Sequence, residues 1–261
     1  MGSNKAIIAS FRQQVLHFVA DPQWVVPSLI APFTFTIVAL MLYRDVNGPV
    51  VLYAVLGGGV LGMWGNTLYS SGWSINLDRM NGTLEPLMVA PTPLIKVILG
   101  RALWNATIGL SNALLVFLVA EVAFGAEVKI ADPLMFFLAL LLTLLSLASI
   151  GLAFSAFFVF TRASSVLMTT LEFPIYVASG AMFPLTVLPE WIRPISYLIA
   201  PTWGVDALRA AGLDSYEPIL GNILLGLASL ALLTSVYIII AWWLFRRLER
   251  KVLMDGSLGR W

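Results

Sequence analysis

The side chains that could do chemistry in this 261-residue chain are few and widely spaced. The chain has no cysteine and a single histidine, His17, which excludes thiolate catalysis, disulfides and any metal site that needs two histidines. No lysine follows a glycine, so the Gly-Lys-Ser/Thr signature of a phosphate-binding loop is absent. What remains is the chemistry of isolated carboxylates and of aromatic side chains in apolar surroundings.

Glu172 is the one clear charge near the middle of a long apolar segment. A carboxylate at that depth of a bilayer costs about 2.5–3.5 kcal/mol, so it should face a bundle interior or water. Two interpretations stay open: Glu172 lines a transport path, where it meets a cationic substrate, or it ties helices together as a protonated or hydrogen-bonded group. Candidate hydrogen-bond partners are Asn66, Asn105, Thr169 and Thr170. The aromatic residues that could stack on a ligand along this path, and are equally typical of helix packing, are Trp64, Phe173 and Tyr176.

A short stretch, residues 78–93, turns from polar to apolar between two of the long apolar segments. Asn81-Gly82 predicts a turn, and the apolar run that follows stops at Pro91 and Pro93, because proline cannot continue a helix. We predict one short amphipathic helix here, capped by Asn81 or Thr83. A short amphipathic helix between two spans is suited to binding a partner outside the membrane.

The composition indicates a polytopic, all-α membrane protein. Hydrophobic residues make up 59% of the chain and charged residues 11%, with a mean hydropathy of +0.90, whereas soluble domains carry about 25% charge. Segments of about 20 apolar residues, rising 1.5 Å each, cross a hydrocarbon core about 30 Å thick. We predict a single transmembrane domain over residues 1–261, with six spans at 24–43, 50–69, 102–124, 133–158, 163–183 and 219–245.

Six spans put both termini on the same side of the membrane, and the basic residues indicate which side. Most of the 15 lysine and arginine residues fall on the side of the termini, which the positive-inside rule makes the cytoplasm. The outer loops hold Arg44, Lys129, Arg193 and Arg209. Residues 5–20 have apolar residues at helical spacing, which predicts an amphipathic helix on the membrane surface or, alternatively, one packed against a partner.

Residues 184–218, between the fifth and sixth spans, combine tryptophans and tyrosines with several prolines. Aromatic side chains sit well at the level of the lipid headgroups. We predict two short re-entrant helices, 190–199 and 202–211, with a plain surface loop as the alternative. In the second span, Gly58 and Gly62 have the small-xxx-small spacing that lets helices approach closely, either within the chain or at a subunit interface.

Several short motifs occur in a characteristic order. They are Gly82-Thr83-Leu84-Glu85, Ala90-Pro91, Ser179-Gly180-Ala181-Met182-Phe183-Pro184, Leu188-Pro189-Glu190-Trp191, Pro201-Thr202 and Asp206-Ala207-Leu208-Arg209. Their order and spacing, with six spans over nearly the whole chain, resemble the membrane (permease) subunit of a type-two ABC exporter. That family includes drug-resistance permeases and permeases that export polysaccharides or lipid-linked glycans. Pro86 is a departure, since the family more often has a polar residue there.

The resemblance implies that two permeases, identical or related, form a dimer in a prokaryotic inner (plasma) membrane. It implies that a separate ATP-binding cassette subunit holds ATP and Mg²⁺, so that the permease is not itself an enzyme and holds no cofactor or metal. The short cytoplasmic helix, called the coupling helix in this family, would dock that subunit, and the N-terminal helix would also touch it. The implied docking residues are Arg79, Gly82, Thr83, Leu84, Glu85, Leu87 and Met88.

Glu85 has a second interpretation, a solvated first-turn carboxylate favoured by the helix dipole. The resemblance also implies an outer gate on the opposite face, formed by Phe183, Pro184, Pro189, Trp191, Pro201 and Trp203.

The favoured function is export of a small hydrophobic drug, antibiotic or lipid, with a polysaccharide or glycolipid as the alternative cargo. A different class, an ion-coupled secondary transporter working alone, would predict inverted repeats and several polar groups at mid-membrane. No internal repeat is evident in this chain. A membrane enzyme with a carboxylate-based site is a weaker alternative, because only the exporter explains the helix within residues 78–93.

Overall fold

The computed structural model describes residues 3–20, 25–26, 30, 33–34, 37–38, 41, 48–68, 73–90, 92–124, 130–159 and 164–255. Within these ranges the chain forms helices and turns and no β-strand. In chain order the helices are α1 Ser3–Ala20, α2 Gly48–Asn66, α3 Trp73–Met80, α4 Leu84–Val89, α5 Leu94–Phe124, α6 Pro133–Val159, α7 Ser164–Ala178, α8 Arg193–Ser196, α9 Ala200–Gly212 and α10 Ile223–Asp255, with a 3-10 helix at Leu185–Val187.

Three helices in the described part of the chain are long and apolar enough to cross a membrane: Leu94–Leu118, Pro133–Phe158 and Ile223–Arg247. They overlap the predicted third, fourth and sixth spans. A shorter apolar helix, Val50–Asn66, occupies the predicted second span, and the predicted first span lies largely outside the described residues. The chain is an all-helical, multi-pass membrane protein, and its full six-span topology stays a prediction.

Local sequence explains where the long helices begin and end. The Asp132 carboxylate accepts hydrogen bonds from the backbone N–H groups of Leu134 (3.1 Å) and Met135 (3.0 Å), so Asp132 caps α6. Pro133 follows at the first helical position, which suits a residue without an N–H. α7 ends at Ala178, earlier than the predicted end of the fifth span at 183, because Gly180 takes a left-handed conformation with φ +71°.

The α6 helix runs through the middle of the molecule and packs against α10, α9, α5 and α3. At its start, the N–H groups of Ala131 and Asp132 donate to the carbonyl oxygens of Gly212 and Ala211 at the end of α9. Near its other end, Ala156 shares a buried apolar cluster with residues of α4, α5 and α10. From Asp132 to Ala156 a helix rises about 36 Å, so we call the two ends of the molecule the α9 end and the α4 end.

The N-terminal helix α1 packs along α5. The Ser10 hydroxyl donates to the carbonyl of Val97 (2.6 Å), and the rings of Phe11 and Phe18 each meet the Trp104 ring edge-on at 5.6 Å. The opposite side of α1 exposes apolar side chains, namely Ile8, Leu16 and Val19. The helix therefore has a packed face inside the chain and a second apolar face that is left exposed.

The segment between α7 and α10 is more broken than the two predicted helices, 190–199 and 202–211. It contains the 3-10 helix, the four-residue α8 and the longer α9, where Pro201 stands in the first turn. Apart from Ala210, which is half-buried, every residue of α9 is buried. Gly58 and Gly62 of α2 are buried within the chain as well.

Candidate functional site

Residues 73–90 form two helices with a tight turn between them: α4 corresponds to the short helix predicted within residues 78–93, and α3, which begins before that stretch, was not predicted. Gly82 has φ +68° and its N–H donates to the Arg79 carbonyl (3.1 Å), which closes the turn after α3. Thr83 occupies the N-cap position of α4, yet its hydroxyl donates back to the Asp78 carboxylate (3.2 Å) instead of capping α4. Pro86 lies in the first turn of α4, where its missing N–H costs nothing.

A buried ion pair joins this turn to the start of α5. The Arg101 guanidinium donates to both carboxylate oxygens of Asp78, at 2.5 Å and 3.2 Å. The side chains are 3% and 12% exposed, so the pair lies almost out of water. Sequence reasoning missed it, because the partners lie 23 positions apart and no local pattern links them.

The α4 helix has an inner anchor and an exposed outer side. Leu84 is 3% exposed and shares a buried cluster with Leu94 and Ile98 of α5 and with Phe245 of α10. Leu84 was expected to touch a partner, but the structure directs it into the chain's own core. On the outer side, Val89 is 85% exposed.

The other predicted docking residues of this region divide in the same way. Gly82 and Thr83 are exposed, Leu87 is half-buried against the inner cluster, and Arg79 is half-buried. Desolvation lowers the pKa of the Arg79 guanidinium. The side chains of Glu85 and Met88 lie outside the described part of the structure.

Glu172 of α7 pairs with a tyrosine that the sequence had assigned to the transport path. The Tyr176 hydroxyl donates to the Glu172 carboxylate (2.6 Å), one helical turn away. Both groups face α2, since a Cβ on Gly65 would lie 2.8 Å from the Tyr176 oxygen and 3.8 Å from the Glu172 carboxylate. The amide of Asn66 donates to the Asn105 carbonyl (3.3 Å). The structure thus brings Glu172 and Tyr176 of α7 against Gly65 of α2, and Asn66, the next residue of α2, is bound to α5.

The remaining candidates for a transport path do not converge on Glu172. Trp64 is fully buried, with its ring edge-on to Phe154 at 6.1 Å. Phe173 is 61% exposed and meets only the edge of the Tyr176 ring, at 6.0 Å. The Thr170 hydroxyl donates to the Val166 carbonyl within its own helix, and the side chain of Thr169 is outside the described residues.

At the α9 end, a buried arginine holds several backbone carbonyls. Arg209 is 2% exposed, donates to the carbonyls of Gly180 (2.7 Å) and Ala181 (2.6 Å), and reaches the Tyr53 carbonyl on α2 (3.2 Å). Its guanidinium lies 3.3 Å from the centroid of the Tyr53 ring. The sequence analysis named Arg209 as an outer-loop basic residue and as the last residue of a motif, with no indication of these partners.

One turn earlier on α9, the Asp206 carboxylate accepts a hydrogen bond from the Tyr216 hydroxyl (2.8 Å) and another from the Ile219 N–H (3.1 Å). Burial raises the pKa of Asp206, opposed by these hydrogen bonds and by the charge of Arg209. Burial and the Asp206 charge raise the pKa of Tyr216. Asp206 therefore ties α9 to the segment that leads into α10.

The predicted gate residues are spread over the α9 end. Trp203 is buried, with its indole N–H donating to the Tyr197 carbonyl (2.9 Å), and Pro201 is buried beside it on α9. Phe183 is half-buried and Trp191 is 73% exposed. Two prolines, Pro184 and Pro189, are exposed. No group of three or more histidine, aspartate or glutamate side chains suited to a metal ion occurs in the described ranges.

The chain was compared with curated proteins and with models of protein families. A search of curated proteins returned no match. The family model described as ABC-2 type transporter matches residues 5–213, a range that runs from α1 to the end of α9 and includes the α3–α4 turn, Glu172 and Arg209. This match covers most of the chain, so the protein belongs to the ABC-2 type transporter family and is a permease subunit of a type-two ABC transporter.

Proposed function

We propose that this permease belongs to an ATP-driven exporter that moves a small hydrophobic compound, such as a drug or antibiotic, or a lipid out of the cell. A separate ATP-binding cassette subunit holds ATP and Mg²⁺, and a second permease, identical or related, completes the membrane dimer. Both termini and α4 face the cytoplasm of a prokaryotic inner membrane. Polysaccharide or glycolipid is the alternative cargo in the same machine.

The observation that supports this proposal is the construction of α4. Its inner side is fixed by the buried Leu84, and the turn before it is fixed by the Asp78–Arg101 pair. Its outer side presents the exposed Val89, and the preceding helix presents Met80, which is 69% exposed. A short element that is rigidly attached inward and apolar outward suits docking of a partner.

The attachment of α4 also explains how force would reach the membrane helices. α4 is joined to α5 through Pro93 and packs on α10 through Leu84, while Asp78 on α3 is bound to Arg101 of α5. When ATP closes the partner dimer, α4 and the start of α5 are displaced together instead of bending. The permease halves then exchange between two packings.

Replacing Val89 by aspartate tests the docking surface. The tagged chain is purified in mild detergent from its native membranes, and Mg²⁺-dependent ATP hydrolysis and co-purified chains are measured. We expect the ATPase activity that co-purifies with V89D to be lower by about tenfold or more. A tenfold weaker association corresponds to about 1.4 kcal/mol, and burying an unpaired charge in an apolar contact costs more than that.

The matched control is V187D, at a valine that is 70% exposed in the 3-10 helix at the α9 end. It should retain the ATPase. If the unmodified chain purifies without any ATP-hydrolysing subunit and transports in vesicles without ATP, the exporter proposal fails and an ion-coupled transporter takes its place.

We further propose that Glu172 lines the transport path with Tyr176 and Asn66. In vesicles containing the whole complex, E172Q should lower transport of a cationic amphiphilic dye about tenfold, the loss of about 1.4 kcal/mol of charge attraction. Transport of a neutral dye of similar size should not change. The control is E190Q, at an exposed glutamate of the α9 end. An equal fall for both dyes would instead assign Glu172 to structure alone.

A further inference from the structure

The end of α7 is held by a contact that the docking and transport residues do not explain. After α7 ends, the carbonyls of Gly180 and Ala181 point to the buried Arg209 of α9, which also bonds the Tyr53 carbonyl of α2 and lies over the Tyr53 ring. We call these four residues the Arg209 clasp. They belong to three separate parts of the chain, α2, the turn after α7, and α9.

We propose that Arg209 is a positioning residue that makes the outer ends of α2 and α7 move as one body during transport. This inference rests on the proposed export function and adds the component that carries motion to the outer side. A guanidinium has five donors in a fixed fork, so one side chain can bind several carbonyls at once in a defined geometry. Lysine has no such fork.

The clasp is closed tightly enough to require a glycine on α2. A Cβ built on Gly57 would lie 2.0 Å from the Ala181 carbonyl oxygen and 2.8 Å from Nη2 of Arg209. Those distances are well below contact, and the first involves backbone that cannot rotate away. Two residues along the same helix, a Cβ on Gly59 would meet nothing within 4 Å.

A second contact between the same two helices lies deeper. The Tyr176–Glu172 pair of α7 touches α2 at Gly65, which lies about 12 Å along α2 from Gly57 by helical rise. Two contacts at different depths fix both the distance and the angle between two helices. Because α2 precedes α3 and α4 in the chain, a displacement at the α4 end passes along α2 and reaches the turn after α7 through Arg209.

The first test measures whether the clasp holds this turn in place. The chain has no cysteine, so M182C provides a single thiol next to Ala181, and its reaction with a membrane-impermeant maleimide is followed in vesicles. We expect R209M and G57A to raise the labelling rate about tenfold or more, since bonds to a charged donor are among the stronger ones, and G59A to leave it unchanged. R209K should give an intermediate rate.

Labelling within twofold of the parent in folded R209M and G57A would overturn the clasp. If neither variant purifies as a single species, the labelling rates of R209K and Y53L are compared with that of the parent, and both should be higher. Y53L removes the ring that packs on the guanidinium and keeps the backbone carbonyl. This assay needs neither ATP nor a partner, so its failure is distinct from failure of the proposed function.

The second test separates positioning from simple folding. In the complete complex, R209K should hydrolyse ATP within twofold of the parent, while the amount of the cationic amphiphilic dye moved per ATP falls about tenfold. The reason is that the docking end is intact and the motion no longer reaches the outer side. If hydrolysis and transport fall in proportion, or neither changes, Arg209 has no positioning role.

Discussion

Replacing Arg101 by methionine should lower the free energy of unfolding by about 3–5 kcal/mol, the cost of leaving one member of a buried ion pair without its partner. The Asp78 carboxylate is bound by both terminal nitrogens of Arg101 and lies almost out of water. Methionine matches the length of the stem but supplies no donor. Unfolding in mixed micelles with increasing dodecyl sulfate, followed by tryptophan fluorescence, measures the loss.

The matched control removes the charge on both sides. The double variant D78L/R101M places two apolar residues of similar volume at the same position, and such replacements of buried ion pairs are often neutral. We expect it to recover most of the stability that R101M loses. A double variant less stable than R101M would show that the ion pair itself, and not the unpaired carboxylate, carries the energy.

Replacing Gly100 by alanine should release α1 from α5. A Cβ on Gly100 would lie 2.4 Å from the Ile7 carbonyl oxygen and 3.0 Å from the Phe11 nitrogen, both of them backbone atoms. Overpacking costs about 1–3 kcal/mol, and an approach of 2.4 Å to a backbone oxygen places G100A near the upper end, above the roughly 1 kcal/mol that alanine gains over glycine in a helix. Trypsin cleavage at Arg12, in the middle of α1, should accelerate by about tenfold or more, because the site must unfold before it is cut.

G109A, on the same helix, is the control for G100A. Its new Cβ would meet the Met63 side chain at 3.2 Å, and a flexible thioether can move by the few tenths of an ångström required. The rate of cleavage at Arg12 should stay at that of the parent. Equal rates in G100A and the parent would mean that α1 is held to α5 by other contacts.

Features that depend on neighbouring residues in the sequence could be predicted, whereas features that depend on contacts between residues far apart in the sequence could not. The length of apolar segments and the positions of glycine and proline are local signals, so the helical membrane class and the turn at Asn81-Gly82 could be predicted. The family motifs led to the correct family, since the match to ABC-2 type transporters extends over residues 5–213. Within the described residues, long apolar helices overlap the third, fourth and sixth predicted spans.

What could not be predicted depends on contacts between distant residues. Asp78 and Arg101 lie 23 positions apart, and no local pattern shows that they form an ion pair. Leu84 was assigned to the docking surface because it lies within a docking motif, yet α5 and α10 cover it. Glu172 accepts a hydrogen bond from Tyr176, a residue that had been assigned to ligand stacking, because helix rotation decides which neighbours meet.

The α10 helix extends past the buried cluster that anchors α4. Phe245 of α10 lies in the same buried cluster as Leu84, and α10 continues to Asp255. From Arg246 to Asp255 the helix rises about 15 Å further, and its sequence there includes Arg246, Arg247, Arg250 and Lys251. We expect a partner that docks at α4 to meet this basic end of α10 as well, and acidic residues on its surface would complement it. Two contacts on the partner, one at α4 and one at the end of α10, would favour a single docking orientation.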